Sequence, residues 1–166
     1  DYIFLDHEDM FLLHQPSFAV IDDAFAYMRD NCFSSLRFVR TTVSKYLPTD
    51  FHESLSIISP ISSWIFSIQP SIWKRVDLIS ILEANTNCNI WQLEARSQKV
   101  VKSSNQRHLL LSSSSSLRGQ AHYDPVEYPH IATAIFKGKW TMSEHRAVLG
   151  DVLRSYNIDP SVRGCI

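Results

Sequence analysis

Phe18, Ile21, Ala24, Phe25 and Met28 recur at intervals of three and four residues with one adjacent pair, the spacing that gathers side chains on one face of an α-helix. The segment Phe18 to Met28 is therefore expected to be helical, with Ser17 as its cap. Leu36, Val39, Val43, Tyr46 and Leu47 form a second stripe, which predicts a helix from about Cys32 to Leu47, closed by Pro48. Pro60 and Pro70 interrupt the pattern between Phe51 and Ile72, where short helices and irregular turns are both compatible with it. Val76, Ile79 and Leu82 predict a third helix over Val76 to Ala84.

The period then changes. Asn89 to Glu94 alternates, with Ile90 and Gln92 on one side and Trp91 and Leu93 on the other, which predicts a strand. A weak strand is expected near Val100 and a short apolar one at His108 to Leu111. The serine run Ser112 to Ser116 reads as a solvated loop. His122 to Val126 and Ile131 to Phe136 read as strands joined through Pro129, and Ser143 to Tyr156 as a helix. Thr141, with Glu144 three residues on, suits a capping box at its start. The succession predicts an α+β class: a small central β-sheet flanked by helices.

The chain has 166 residues, the length of one domain, and can bury roughly 70% of its unfolded surface. No metal or disulfide is needed to hold such a core. Its 16 Lys and Arg against 17 Asp and Glu give a net charge of -1, which leaves no basic footprint for a nucleic-acid backbone. Cys32, Cys88 and Cys165 are odd in number and widely spaced, so a reducing, cytoplasmic setting is expected and a thiolate zinc site is not. Apolar runs such as Ile131 to Phe136 fall far short of the ~20 residues of a membrane span. The opening Asp1-Tyr2-Ile3-Phe4 reads as the start of a fragment or processed chain.

Cys32 is the first candidate for chemistry. At the start of the expected second helix it would face unpaired backbone N–H groups, which favour a thiolate and can hold a developing oxyanion. Its alternative is an ordinary buried cysteine ahead of Phe33. His122 is the second, since Gly119-Gln120-Ala121-His122-Tyr123-Asp124 places an imidazole after a loop at a strand edge. Asp124, two residues on, lies on the same strand face and could fix the tautomer. His7, Glu8 and Asp9 lack the H-E-x-x-H pattern of a metal site and read as a solvated terminus. His108, His130 and His145 read as structural or solvent-facing, and Trp64, Trp73, Trp91 and Trp140 as packing residues.

Together these segments resemble the ovarian-tumour (OTU) superfamily of cysteine proteases and deubiquitinases, viral members included. The resemblance rests on Trp73-x3-Asp77-Leu78-x2-Ile81-Leu82-x5-Cys88-Asn89-Ile90-Trp91, on Leu109-Leu110-Leu111, and on Gln120-Ala121-His122-Tyr123-Asp124-Pro125-Val126. It spans roughly Cys32 to Val126, although each motif is short. At the nucleophile the family's Asp-Gly-Asn-Cys becomes Asp30-Asn31-Cys32-Phe33, without the glycine.

The resemblance implies a papain-type fold in a single domain over 1–166, with 1–28 an N-terminal extension and 141–166 a C-terminal helix and tail. It implies a thiol hydrolase in which Cys32 is the nucleophile, His122 the base and Asp124 its orienting partner. Asp30 and Asn31 would shape the oxyanion loop, and Trp91, Gln120 and Tyr123 would line the substrate channel. The implied substrate is the isopeptide bond after the Gly-Gly end of ubiquitin or a ubiquitin-like protein, or a bond in a viral polyprotein, with no cofactor. A second register matches Ser35-Leu36-Arg37 through Tyr46-Leu47 to the family's later Leu-Arg helix. The nucleophile would then fall near Asp6 to Phe11, which contains Met10 and no cysteine, and the chain would be an inactive OTU-like protein-binding module.

Overall fold

The computed structural model describes residues 1–118 and 121–166. Its centre is a six-stranded mixed sheet in the order β1-β5-β2-β6-β4-β3. The strands are β1 (Tyr2–Leu5), β2 (Ser35–Arg37), β3 (Tyr46–Pro48), β4 (Leu55–Ile58), β5 (Ser71–Lys74) and β6 (His108–Leu111). β5 runs antiparallel to both β1 and β2, β2 is parallel to β6, and β4 is antiparallel to β6 and β3. β1, β2, β3 and β6 therefore point in one direction. Residues 1–28 supply β1 and most of the first helix.

Helices cover both faces of the sheet. On one side α1 (Phe18–Asp30) packs Ile21, Ala24 and Met28 against Leu36, Leu109 and Leu111. On the other, α2 (Arg75–Glu83) and α3 (Ile90–Ser103) bring Leu78, Ile81 and Val101 against Trp73 and Leu110. β6 is buried along its whole length, which explains why His108-Leu109-Leu110-Leu111 is a continuous run rather than an alternation. Two short hairpins, β7 (Leu117–Arg118) with β8 (His122–Tyr123) and β9 (Ile135–Phe136) with β10 (Lys139–Trp140), follow β6. Then come α4 (Met142–Ser155) and the short α5 (Pro160–Arg163). Ile131, Ala134, Trp140, Leu149 and Leu153 form a third apolar cluster there.

The helices expected at Phe18–Met28, Val76–Ala84 and Ser143–Tyr156 are present as α1, α2 and α4. The one expected from Cys32 to Leu47 is not: that segment contains β2 and β3. β2 is captured between β5 and β6, and its burial outweighs the helical stripe. The strand expected at Asn89–Glu94, and that near Val100, are instead parts of α3. The Asn89 side chain accepts a hydrogen bond from Gln92 N–H (3.0 Å) while Gln92 Oε1 accepts from Asn89 N–H (3.1 Å). This capping box stops the chain from continuing as a strand. At α4 the expected box does not form; the Thr141 hydroxyl is turned to the Thr133 and Ala134 carbonyls, sharing its proton between them (2.6 and 3.0 Å). The serine run is not simply solvated either, since Ser112 and Ser114 are buried.

Gln98 ties α3 to the segment that connects β4 with β5. Its Oε1 accepts from the Ile65 and Phe66 N–H groups (2.7 and 3.1 Å), and its Nε2 donates to the Phe66 and Glu94 carbonyls (both 2.8 Å). Gln98→Ala strands two buried donors and is expected to cost about 3 kcal/mol, read from urea unfolding. A destabilisation no larger than that of an exposed surface substitution would show the clamp to be dispensable.

His108 is fully enclosed, with Nδ1 2.8 Å from Ser35 Oγ. Burial, then the nearby Arg37 charge, pushes its pKa down from 6.5 to about 3. Because the folded value lies below the unfolded one, the unfolded chain binds the proton first. The stability contributed by neutral His108 is complete above about pH 6.5 and falls as the pH drops toward 3, by up to ~1.4 kcal/mol per unit. His108→Asn, which preserves the contact to Ser35, is expected to flatten the acid limb of a melting-temperature profile; an unchanged limb would remove His108 as its source.

Candidate functional site

The co-directional strands β1, β2 and β6 deliver their carboxyl ends to one edge of the sheet, the position where mixed and parallel sheets characteristically hold ligands. Beyond that edge lie two adjoining cavities of about 610 and 730 Å³, which share Ala121, His122, Thr133 and Phe136 as walls. His122 therefore stands where they meet. β8 is held there on two sides, by its pairing with β7 and by a bridge from His122 to Thr41, just past the end of β2.

In the smaller cavity, His130, His145, Glu144, Arg118 and Asp124 face apolar Leu13, Val148 and Ile166. Burial is the largest cause lowering the pKa of His122, of His130 and of His145. Arg37 and His145 lower that of His122 further, against Glu144. Asp124 does not orient His122. Its carboxylate takes a forked contact from Arg118, through Nε and through Nη2 at 2.9 Å, and a third bond from Ser116 Oγ at 3.2 Å. The hydrogen bond from Arg118 is the chief cause holding the carboxyl below its usual range.

The larger cavity carries different chemistry. Glu8 and Asp9 arrive from the turn after β1, Trp91 and Glu94 from one face of α3, Lys137 from the β9–β10 turn and Arg163 from α5. Asp9 is held by His7 Nδ1 at 2.6 Å, with its side chain only 14% exposed, so this segment is more than a solvated terminus. Glu94 Oε1 accepts from Ile68 N–H (3.0 Å). Trp91, expected in a strand, projects from α3 with 70% of its surface exposed. The sequence signals that could have found these residues are the apolar run before His7-Glu8-Asp9 and the spacing Asn89-x-x-Gln92, a helix start that puts Trp91 and Glu94 on one face. Among the described residues, no group of three or more His, Cys, Asp or Glu side chains is arranged to hold a metal ion.

Cys32 lies elsewhere. It follows α1 instead of opening a helix: Cys32 N–H donates to Arg29 O (3.2 Å) and Phe33 N–H to Met28 O (2.9 Å), the paired bonds of a Schellman stop. The unpaired backbone groups at such an end are carbonyls, which cannot stabilise an oxyanion. Asn31 is the cap residue, its Nδ2 bonded to Tyr27 O (3.0 Å), and Asp30 pairs with Arg29 (2.9 Å). The described lining of both cavities includes His122 but neither Cys32 nor another cysteine. Tyr123 borders the smaller cavity; Gln120 lies outside the described residues. No described helix is long and apolar enough to cross a membrane.

Cys32 has φ +57°, a left-handed conformation that glycine adopts without a Cβ penalty. Cys32→Gly is expected to raise stability by about 1 kcal/mol in denaturant unfolding. A loss of stability would mean that its side chain makes contacts outweighing the backbone relief.

Compared with protein-family models, curated proteins and solved structures, the chain matches none of them.

Proposed function

We propose that the cleft beyond the ends of β1, β2 and β6 binds a small polar ligand bearing hydroxyl groups and an anionic group, with His122 able to accept or deliver a proton at its centre. The lining of the larger cavity carries this reading. Ionised Glu8, Asp9 and Glu94 only accept hydrogen bonds, so their natural partners are donors such as hydroxyls. Lys137 and Arg163 only donate, and suit an anion. The exposed indole of Trp91 offers a flat apolar face beside them. A partly desolvated imidazole with a lowered pKa is neutral near pH 7, the form in which it acts as a base.

Thiol proteolysis would need a cysteine within hydrogen-bond reach of a base, and the described walls around His122 offer none. The ovarian-tumour resemblance, with ubiquitin as substrate or partner, rests on its short motifs alone.

Two experiments test the proposal together. Thermal shift with sets of polyols, organic phosphates and hydroxy acids is expected to find stabilisation by hydroxylated anions, near 2.7 kcal/mol at about 100 times Kd. Glu94→Gln and Arg163→Gln should each remove most of it. Ubiquitin carrying a C-terminal cysteine-reactive warhead is expected to leave Cys32 unmodified by intact mass. An adduct on Cys32 that disappears in His122→Ala would replace this proposal with isopeptide cleavage. Non-covalent ubiquitin binding without small-ligand stabilisation would replace it with a protein-binding module.

A further inference from the structure

We propose that a second pocket, on the β4–β6 side of the sheet and separate from the cleft, binds a tetrahedral oxyanion: phosphate, or the phosphate group of a small monoester. The pocket encloses about 290 Å³ and shares no wall residue with either cleft cavity. It has room for an oxyanion and several waters, each water taking about 30 Å³.

Two independent features point to an anion. The first is Arg40. Its guanidinium lies 5.5 Å from the Tyr46 ring and 4.9 Å from the Tyr123 ring, so its orientation is set by two aromatic faces. Among the described residues its side chain makes one hydrogen bond, at 3.4 Å to the Ser114 carbonyl, and no carboxylate pairs with it. Most of its donor fork is left for a ligand, and that planar fork matches the oxygens of phosphate.

The second is Ser112. The residue is only 7% exposed, yet its enclosed hydroxyl has no hydrogen-bond partner. Its backbone is fixed by a 2.8 Å bond from Ser112 N–H to Ser54 O, which keeps the residue in the pocket wall and leaves rotation about χ1 as the hydroxyl's freedom. A buried polar group left unpaired asks for a ligand or a water. Ser56 and Ser113 add two hydroxyls to the same walls, and a hydroxyl can turn its proton toward an anion. Against them stands one acidic wall residue, Glu53, which is exposed and sits where it can turn to solvent.

Calorimetric titration of the full chain with inorganic phosphate tests this site, with sulfate and glycerol phosphate as parallel arms. Saturable, one-to-one phosphate binding is expected. Arg40→Gln should weaken it by about tenfold or more, the worth of a charge-assisted hydrogen bond. Ser112→Ala should weaken it several-fold without lowering the melting temperature of the unliganded protein, because the lost hydroxyl made no bond. Glu53→Gln should tighten it. Glycerol phosphate binding at least as tightly as phosphate identifies a monoester site; phosphate binding alone identifies a free-anion site. Absence of saturation at millimolar phosphate overturns the proposal. So does binding that Ser112→Ala and Arg40→Gln both leave unchanged, which would move the anion to the Lys137 and Arg163 side of the cleft.

Discussion

The parallel pairing of β2 with β6 is the constraint on which the remaining architecture rests. Within the main sheet it is the join between β1-β5-β2 and β6-β4-β3. It also joins parts of the chain more than seventy residues apart, matching Ser35, Leu36 and Arg37 to His108, Leu109 and Leu110. Such pairing yields its hydrogen bonds only after a long loop has been closed. What offsets that cost is burial on both faces: Leu109 and Leu111 are covered by α1, and Leu110 by α2 and α3. The same pairing sends the carboxyl ends of β1, β2 and β6 to one edge, and so creates the site.

Arg37, the last residue of β2, connects that sheet interior to the cleft. It is 2% exposed, and its guanidinium donates at long range to neutral groups: Ile65 O at 3.4 Å, Ser44 Oγ and Tyr46 OH both at 3.5 Å. Burial lowers its pKa. A cation placed in the core makes further positive charge nearby unfavourable. Its influence adds to burial at both His108 and His122. Burial is the chief cause lowering the pKa of the imidazole at the junction of the two cavities, and Arg37, which lines neither, adds to it.

Two sites with different chemistry follow from this arrangement. The cleft mixes acceptor-only carboxylates with cations and an exposed indole, a combination suited to a ligand with both donors and an anionic group. The smaller pocket beyond Arg40 sets one guanidinium among several hydroxyls, with Glu53 as its acidic wall residue. Tyr123 stands between them, one side bordering the cleft and its ring packed on the Arg40 guanidinium.

Local patterns determined a good part of the fold. The three- and four-residue spacing from Phe18 to Met28, the row Val76, Ile79 and Leu82, and the run His108 to Leu111 each identified their element, because burial demands those periods whatever surrounds them. The six-residue alternation from Asn89 to Glu94 predicted a strand, and the capping box between Asn89 and Gln92 makes that segment the start of α3 instead. What only tertiary structure decided was the fate of segments with two compatible periods. Ser35 to Arg37 is a strand because β5 and β6 flank it. Cys32, placed by spacing at a helix start, ends a helix because the Cys32 and Phe33 N–H groups close a Schellman turn there. Glu8, Asp9, Trp91, Glu94, Lys137 and Arg163 come from four separate parts of the chain. No periodicity links such distant residues; only the order and direction of the strands brings them to one cleft.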